Sequence, residues 1–324
     1  PTPADLTSKA WRIADLESGD VIAALDPHGR FRPASTIKIL LALTALDELD
    51  LNDPVVATAN DWSMEGDACG VGPDGKYTVR DIVSGLLVVS GNDCANALAR
   101  LLGGYDEALA KMNAKAASLG ALDTRAATPS GLDGAGMSTS AYDLAVIFRA
   151  AMGNAEFAQM IALKTYEFPG YPPRKDVPGD ADHPGYTMST SNTLLRDGID
   201  GMTVLGGKTG YTDDARKTFV GAVESGGRTL IIVQLDGLSV ANDSYHQQAL
   251  RMLQYGFASP PSTSVGSLDN QVAQAQDQDR WQPSSASESL AMGMLPMILL
   301  AAVALTTVAL IVMLFRRRRR YHRR

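Results

Sequence analysis

At 324 residues, with 45% hydrophobic and 20% charged side chains, the chain has ordinary globular composition and enough length for a substantial core. The formal net charge is −7, yet seven of the 29 basic residues lie after Phe315 and none of the 36 acidic ones does, so the rest of the chain is strongly acidic. Such an acidic body argues against nucleic-acid binding.

In chain order, the sequence opens at Pro1 without Met or an apolar leader, which is expected if a secretory signal peptide has been removed. Residues 10–15 and 21–25 read as a hairpin joined by Glu17-Ser18-Gly19-Asp20. Turn chemistry at Asp26-Pro27-His28-Gly29 leads into a helix opened by "PASTIKIL", Pro33 to Leu40, which is apolar around its whole circumference and therefore central. Lys38 is the one charge in that run before Asp47. Residues 78–89 form a second apolar helix, broken at Ser90-Gly91-Asn92-Asp93, and a helical pattern resumes over 94–102 with Asn92 or Asp93 as N-cap. Further helices are expected over 105–119 and 140–152, on either side of a loop containing Pro129-Ser130-Gly131-Leu132-Asp133-Gly134.

Residues 163–192 carry no sustained period. Strand signals return over 202–205, leading to Gly206-Gly207-Lys208-Thr209-Gly210, and again over 218–223 and 229–235, with Gly226-Gly227 as a turn. Residues 241–257 close the folded part as an amphipathic helix, so a single domain is expected over 1–257. The polar stretch 258–290 buries too little apolar surface to fold and reads as a linker.

Residues 291–315 are uncharged and run directly into the basic tail 316–324. At ~1.5 Å per residue they give a helix of ~37 Å, sufficient for a ~30 Å hydrocarbon core. The expectation is a single-pass transmembrane helix with a cytoplasmic C-terminus, which places the body outside the cell membrane; a buried core helix is the competing reading. Cys69 and Cys94 would both lie in that exported part, where an oxidising compartment permits a disulfide, two separate buried thiols being the alternative.

Three short motifs carry chemistry. Ser35 and Lys38 stand three apart and share one helical face at a helix start, where free backbone N–H groups favour a developing oxyanion. An apolar setting pulls a lysine pKa down, and a neutral amine beside a hydroxyl is a general base beside a nucleophile. Taken singly, a Ser-x-x-Lys occurs by chance and its lysine can snorkel. Ser90 and Asn92 offer a second hydroxyl and an amide between two helices, where ordinary helix capping is the competing explanation. Lys208-Thr209-Gly210 ends a strand with a cation, a hydroxyl and a residue that lets a substrate approach the backbone.

Together and in this order the three resemble the active-site set of the penicillin-binding proteins and serine β-lactamases, and most closely the low-molecular-mass D-alanyl-D-alanine carboxypeptidases. The resemblance is visible in "PASTIKIL", "VSGNDCANALA", "PSGLDGAGMSTSAYDLA" and "GGKTGYTDDA", spread over residues 10–257. It implies a mixed α/β fold: a five-stranded antiparallel sheet flanked by helices, a helical lobe, and a site between them. It also implies that Ser35 is acylated, that Lys38 is its base, and that Ser90 passes a proton to the leaving D-alanine. Asn92 would orient the peptide, Lys208 would support the electrostatics, and Thr209 would bind the terminal carboxylate. The N–H groups of Ser35 and Tyr211 would form the oxyanion hole, and water would release the acyl group. The substrate implied is a peptidoglycan stem peptide ending in D-Ala-D-Ala, with β-lactams as covalent inhibitors and no metal or other cofactor. Arg216-Lys217 depart from the small residues expected there and alter the rim of the cleft. Some relatives carry a separate β-rich domain before their membrane anchor, where only a linker and a span are expected here.

Competing functions differ in what they require. A β-lactamase needs a deacylating glutamate in a Glu-x-x-Leu-Asn setting, and none occurs between Asn92 and Lys208. A DD-endopeptidase or transpeptidase uses the same residues, and a non-catalytic penicillin-binding sensor would dispense with their chemistry. A zinc carboxypeptidase needs clustered ligands, whereas His28, His183, His246 and His322 are scattered.

Overall fold

The computed structural model of the chain describes Pro3 and residues 6–238 and 244–269. In chain order the elements are strands β1 (Ala10–Asp15) and β2 (Val21–Leu25), a 3-10 turn (Ala34–Ile37), helix α1 (Lys38–Glu48), strand β3 (Pro54–Val55), helix α2 (Ala59–Trp62) and strand β4 (Tyr77–Thr78). Helices α3 (Val79–Val88), α4 (Asn92–Leu101), α5 (Tyr105–Ser118), α6 (Ala141–Met152) and α7 (Ala155–Ile161) follow. Strands β5 (Thr165–Phe168) and β6 (Tyr186–Ser189), helix α8 (Thr193–Asp197), strands β7 (Thr203–Thr212), β8 (Arg216–Ser225) and β9 (Arg228–Gly237), and helix α9 (Tyr245–Ala258) complete the described chain.

The expected five-stranded antiparallel sheet is present, in the order β2-β1-β9-β8-β7, so β7 with its Lys-Thr-Gly lies on an edge. The alternation of strand side chains divides the core into two layers. On β9, Ile231, Val233 and Leu235 join the large cluster built on α1 and the neighbouring helices, while Leu230 and Ile232 pack with Met252 and Leu253 of α9. Helix α1 is central, as its apolar circumference requires, with every residue from Lys38 to Ala45 buried.

One segment without a sequence pattern proves structured, and one expected boundary needs correction. Residues 163–192, without a sequence period, contain a hairpin in which Thr165 pairs with Ser189 and Phe168 with Tyr186. Each of its strands has four residues, of which one is fully buried, so no alternation could emerge. The folded unit also continues beyond the expected boundary at Phe257. Val265 N donates to Val21 O at 2.8 Å, Val21 N to Gly266 O at 2.8 Å and Leu268 N to Gly19 O at 2.8 Å, and the Tyr142 hydroxyl donates to Leu268 O. Backbone pairing to the open edge of β2 needs no apolar pattern; Leu268 is the buried hydrophobe of the segment.

The rest of the expected linker, the span 291–315 and the tail 316–324 lie outside the described residues. Among the described residues no helix is long and apolar enough to cross a membrane.

Candidate active site

The expected helix start at "PASTIKIL" is a 3-10 turn, and α1 begins at Lys38 itself. A 3-10 turn has three residues per turn, so positions i and i+3 eclipse, and Ser35 stands directly over Lys38. Ala34 enters the turn with φ 48° and Ser90 has φ 65°, both non-glycine residues in the left-handed region. The strain thus sits at the residue before one site serine and at the other.

Lys38 has no exposed surface. Its Nζ lies 2.8 Å from Ser35 Oγ and donates to Asn92 Oδ1 at 2.7 Å and to the carbonyl of Ser130 at 2.6 Å. Burial drives its pKa well below the usual lysine value and the charge of Lys208 lowers it further, against opposition from Asp67 and Asp93. The amide of Asn92 is held in one orientation because Nδ2 donates to Glu65 O at 2.7 Å, which leaves Oδ1 for Lys38.

The neighbouring Asp93 fixes this loop from behind. Its carboxylate accepts the N–H groups of Cys69 and Cys94 on one oxygen and those of Gly70 and Val71 on the other. The structure joins Cys69 and Cys94 in a disulfide with Cα atoms 6.4 Å apart. Asp93 and the two cysteines are the one group among the described residues with metal-ligand proximity. With both thiols bonded and the carboxylate engaged by four amides, they are poor ligands.

Strand β7 closes the site from the other side. Lys208 is 1% exposed and its Nζ donates to Thr209 O at 2.9 Å. Burial brings its pKa to about 7, with Asp67 raising it and Lys217 lowering it. Gly210 is required by close approach: a Cβ there would stand 2.8 Å from Ser35 N and 2.4 Å from Thr218 Oγ1. Gly131, at φ 89°, similarly has no room for a Cβ against Ala34 O, so the loop carrying Ser130 can press on the turn carrying Ser35.

A cleft of about 380 Å³ brings together Ser35, Ser90, Asn92, Thr209, Gly210 and Tyr211 on its walls, with Lys38 and Lys208 beneath. All eight residues singled out by the motifs therefore converge. The sequence did not single out Asp67, which lines the cleft, nor Ser191, whose Oγ is 3.4 Å from Thr209 Oγ1. The Ser130 carbonyl was missed as well, since a backbone acceptor leaves no side-chain signature.

A buried Ser-x-x-Lys facing a Ser-x-Asn loop and an edge-strand Lys-Thr-Gly, between an antiparallel sheet and a helical lobe, defines a serine peptidase of the penicillin-binding class. The chain belongs to the D-alanyl-D-alanine carboxypeptidase family, whose pattern it matches over residues 1–239. It is 49% identical over 271 residues to D-alanyl-D-alanine carboxypeptidase DacB2 of Mycobacterium tuberculosis, covering 83% of this chain and 88% of that protein. To DacD of Salmonella typhimurium it is 31% identical, over 79% of this chain and 64% of the relative's length. Among solved structures, the D-alanyl-D-alanine carboxypeptidase of M. tuberculosis aligns with a TM-score of 0.75 at 48% identity, over 82% of this chain and 99% of that one. Penicillin binding protein 6B of Escherichia coli aligns with a TM-score of 0.68 at 28% identity, over 80% of each chain.

Proposed function

We propose that the protein removes the terminal D-alanine from peptidoglycan stem peptides through an acyl-enzyme on Ser35. The observation that carries this reading is the hydrogen-bonding of Lys38. Two of its three partners, Asn92 Oδ1 and the Ser130 carbonyl, have no proton to give. A neutral amine has two hydrogens and one lone pair. The hydrogens go to those two acceptors, and the lone pair is left facing the Ser35 hydroxyl at 2.8 Å. The two fixed acceptors thus orient the base, and the depressed pKa supplies its neutral form.

In the reaction Ser35 Oγ attacks the carbonyl of the penultimate D-alanine while its proton passes to Lys38. The N–H groups of Ser35 and Tyr211 receive the oxyanion. As the peptide bond breaks, the proton reaches the leaving amine by way of Ser90, whose hydroxyl lines the cleft and makes no hydrogen bond to another described residue. Water then attacks the ester, its proton returning through Lys38 to Ser35 Oγ. A β-lactam carbonyl follows the first half of this path, and its ring-opened leaving group stays attached. A penicillin adduct is therefore long-lived.

Residues 291–315 anchor this activity as a membrane span, with the catalytic domain outside the cell, on the support of their length, their lack of charge and the arginines that follow. Removal of residues 291–324 is expected to release the protein from the membrane fraction; retention would contradict the anchor. The activity is checked by product analysis with a pentapeptide ending in D-Ala-D-Ala, with and without an amine acceptor. The expected products are tetrapeptide and free D-alanine in both cases. A peptide joined to the acceptor as the main product would make the protein a transpeptidase.

A further inference from the structure

A carboxypeptidase must hold a substrate carboxylate in a largely desolvated cleft, and a carboxylate taken from water without a cation is costly. Three lysines surround this cleft. Lys38 already has three hydrogen-bond partners, and Lys208 is buried with its Nζ turned to its neighbour's carbonyl. Lys217 differs from both. It lines the cleft, is partly buried, and its ammonium makes no hydrogen bond or ion pair with a described residue.

Strand register places its side chain behind Thr209. Thr209 pairs with Phe219, Gly210 with Thr218 and Tyr211 with Lys217. By the two-residue alternation, Lys217 and Phe219 share a face with Tyr211 and Thr209, so Thr209 is the diagonal neighbour of Lys217. Thr218 points the other way and donates to Pro33 O at 2.8 Å. On the shared face the Tyr245 ring meets Phe219 at 5.0 Å between centroids and lies 5.1 Å from Lys217 Nζ. The ring is itself fixed, since the Tyr245 hydroxyl accepts from Thr193 N at 2.8 Å and is 2.7 Å from Thr193 Oγ1. Tyr245 is thus an aromatic floor under the ammonium.

We propose that Lys217 is the cation that recognises the terminal carboxylate of the peptide, acting together with the Thr209 hydroxyl. The proposal rests on the carboxypeptidase reading above and adds the residue that makes the enzyme select a free chain end. Burial lowers the Lys217 pKa, with Asp67 as the opposing charge, so an incoming carboxylate replaces lost solvation.

The test compares two substrates on one protein: a peptide ending in D-Ala-D-Ala and the same peptide as its C-terminal amide. The readout is the ratio of kcat/KM between them, which cancels any loss of folded enzyme because both substrates meet the same preparation. The wild-type full chain is expected to favour the free carboxylate by about 10- to 100-fold, the worth of one charge-assisted hydrogen bond. Lys217→Met should bring the ratio close to one, mainly through KM, and Lys217→Arg should retain most of it. A wild-type ratio near one, or a Lys217→Met ratio equal to the wild type's, would overturn the role of Lys217. Wild-type protein that cleaved the terminal peptide bond of neither substrate would overturn the carboxypeptidase reading itself, and this one with it.

Discussion

Replacing Asn92 by Asp tests whether Lys38 works as a neutral base. The side chains are nearly isosteric, so the change puts one negative charge where Asn92 Oδ1 now stands, 2.7 Å from Lys38 Nζ. At an effective dielectric constant of about 20, a unit pair at that distance attracts by about 6 kcal/mol. In the wild type, burial and the Lys208 charge both favour the neutral amine. A carboxylate favours the ammonium, so the lysine pKa rises and the neutral fraction near pH 7 falls. Half the Coulomb figure still shifts the protonation equilibrium on the order of 100-fold toward the ammonium, and acylation slows wherever the amine becomes mostly protonated. The assay is the second-order rate of acylation by a fluorescent penicillin across neutral and alkaline pH. The limb on which the rate rises with pH should move to higher pH in Asn92→Asp. A folded variant whose limb coincided with the wild type's would refute Lys38 as the base.

Other consequences follow from the same geometry. Gly210→Ala puts a methyl group 2.8 Å from Ser35 N and 2.4 Å from Thr218 Oγ1, so β7 must draw back from the turn carrying Ser35. Penicillin acylation should slow by at least about 10-fold while the melting temperature falls by only a few degrees; an unchanged acylation rate would show that β7 need not lie so close. Joint replacement of Cys69 and Cys94 by Ala removes a link closing a sequence separation of 25 residues. In the chain-entropy account this costs ~3.5 kcal/mol, measurable by urea denaturation. The loss should also slow acylation, because the backbone N–H groups of Cys69 and Cys94 are both held by the carboxylate of Asp93, the residue next to Asn92.

Much of the site was legible because its chemistry sits in short, local spacings. Ser35 and Lys38 are one turn apart, Ser90 and Asn92 share one loop, and Lys208, Thr209 and Gly210 are consecutive, so each group's internal geometry depends on one element. Their convergence depended on tertiary structure, and resemblance to a known family supplied it. Contributions made by the backbone were hidden. The Ser130 carbonyl fixes a hydrogen of Lys38, yet the loop around it reads as turn chemistry. The left-handed φ of Ala34 and Ser90 is imposed by packing and leaves no mark in residue type.

In the fold, long strands and apolar helices announced themselves, while the four-residue strands β5 and β6 were too short and too exposed to do so. The segment 259–269 looked unable to fold because it has few apolar residues. It is held by backbone pairing to β2 and by an ion pair from Arg149 to Asp269 at 2.6 Å, interactions that composition does not register. Lys217 was noticed as a departure, but its relation to Thr209 depends on the β7–β8 register.

The central claim is that Ser35 is the acylated nucleophile. Its most direct measurement is the intact mass of the full chain after exposure to penicillin, with the modified residue located by peptide mapping and D-alanine release measured in parallel. The account predicts one penicilloyl group on Ser35, and neither adduct nor D-alanine release from a folded Ser35→Ala variant. An adduct on another residue, or D-alanine release that survives Ser35→Ala, would contradict it.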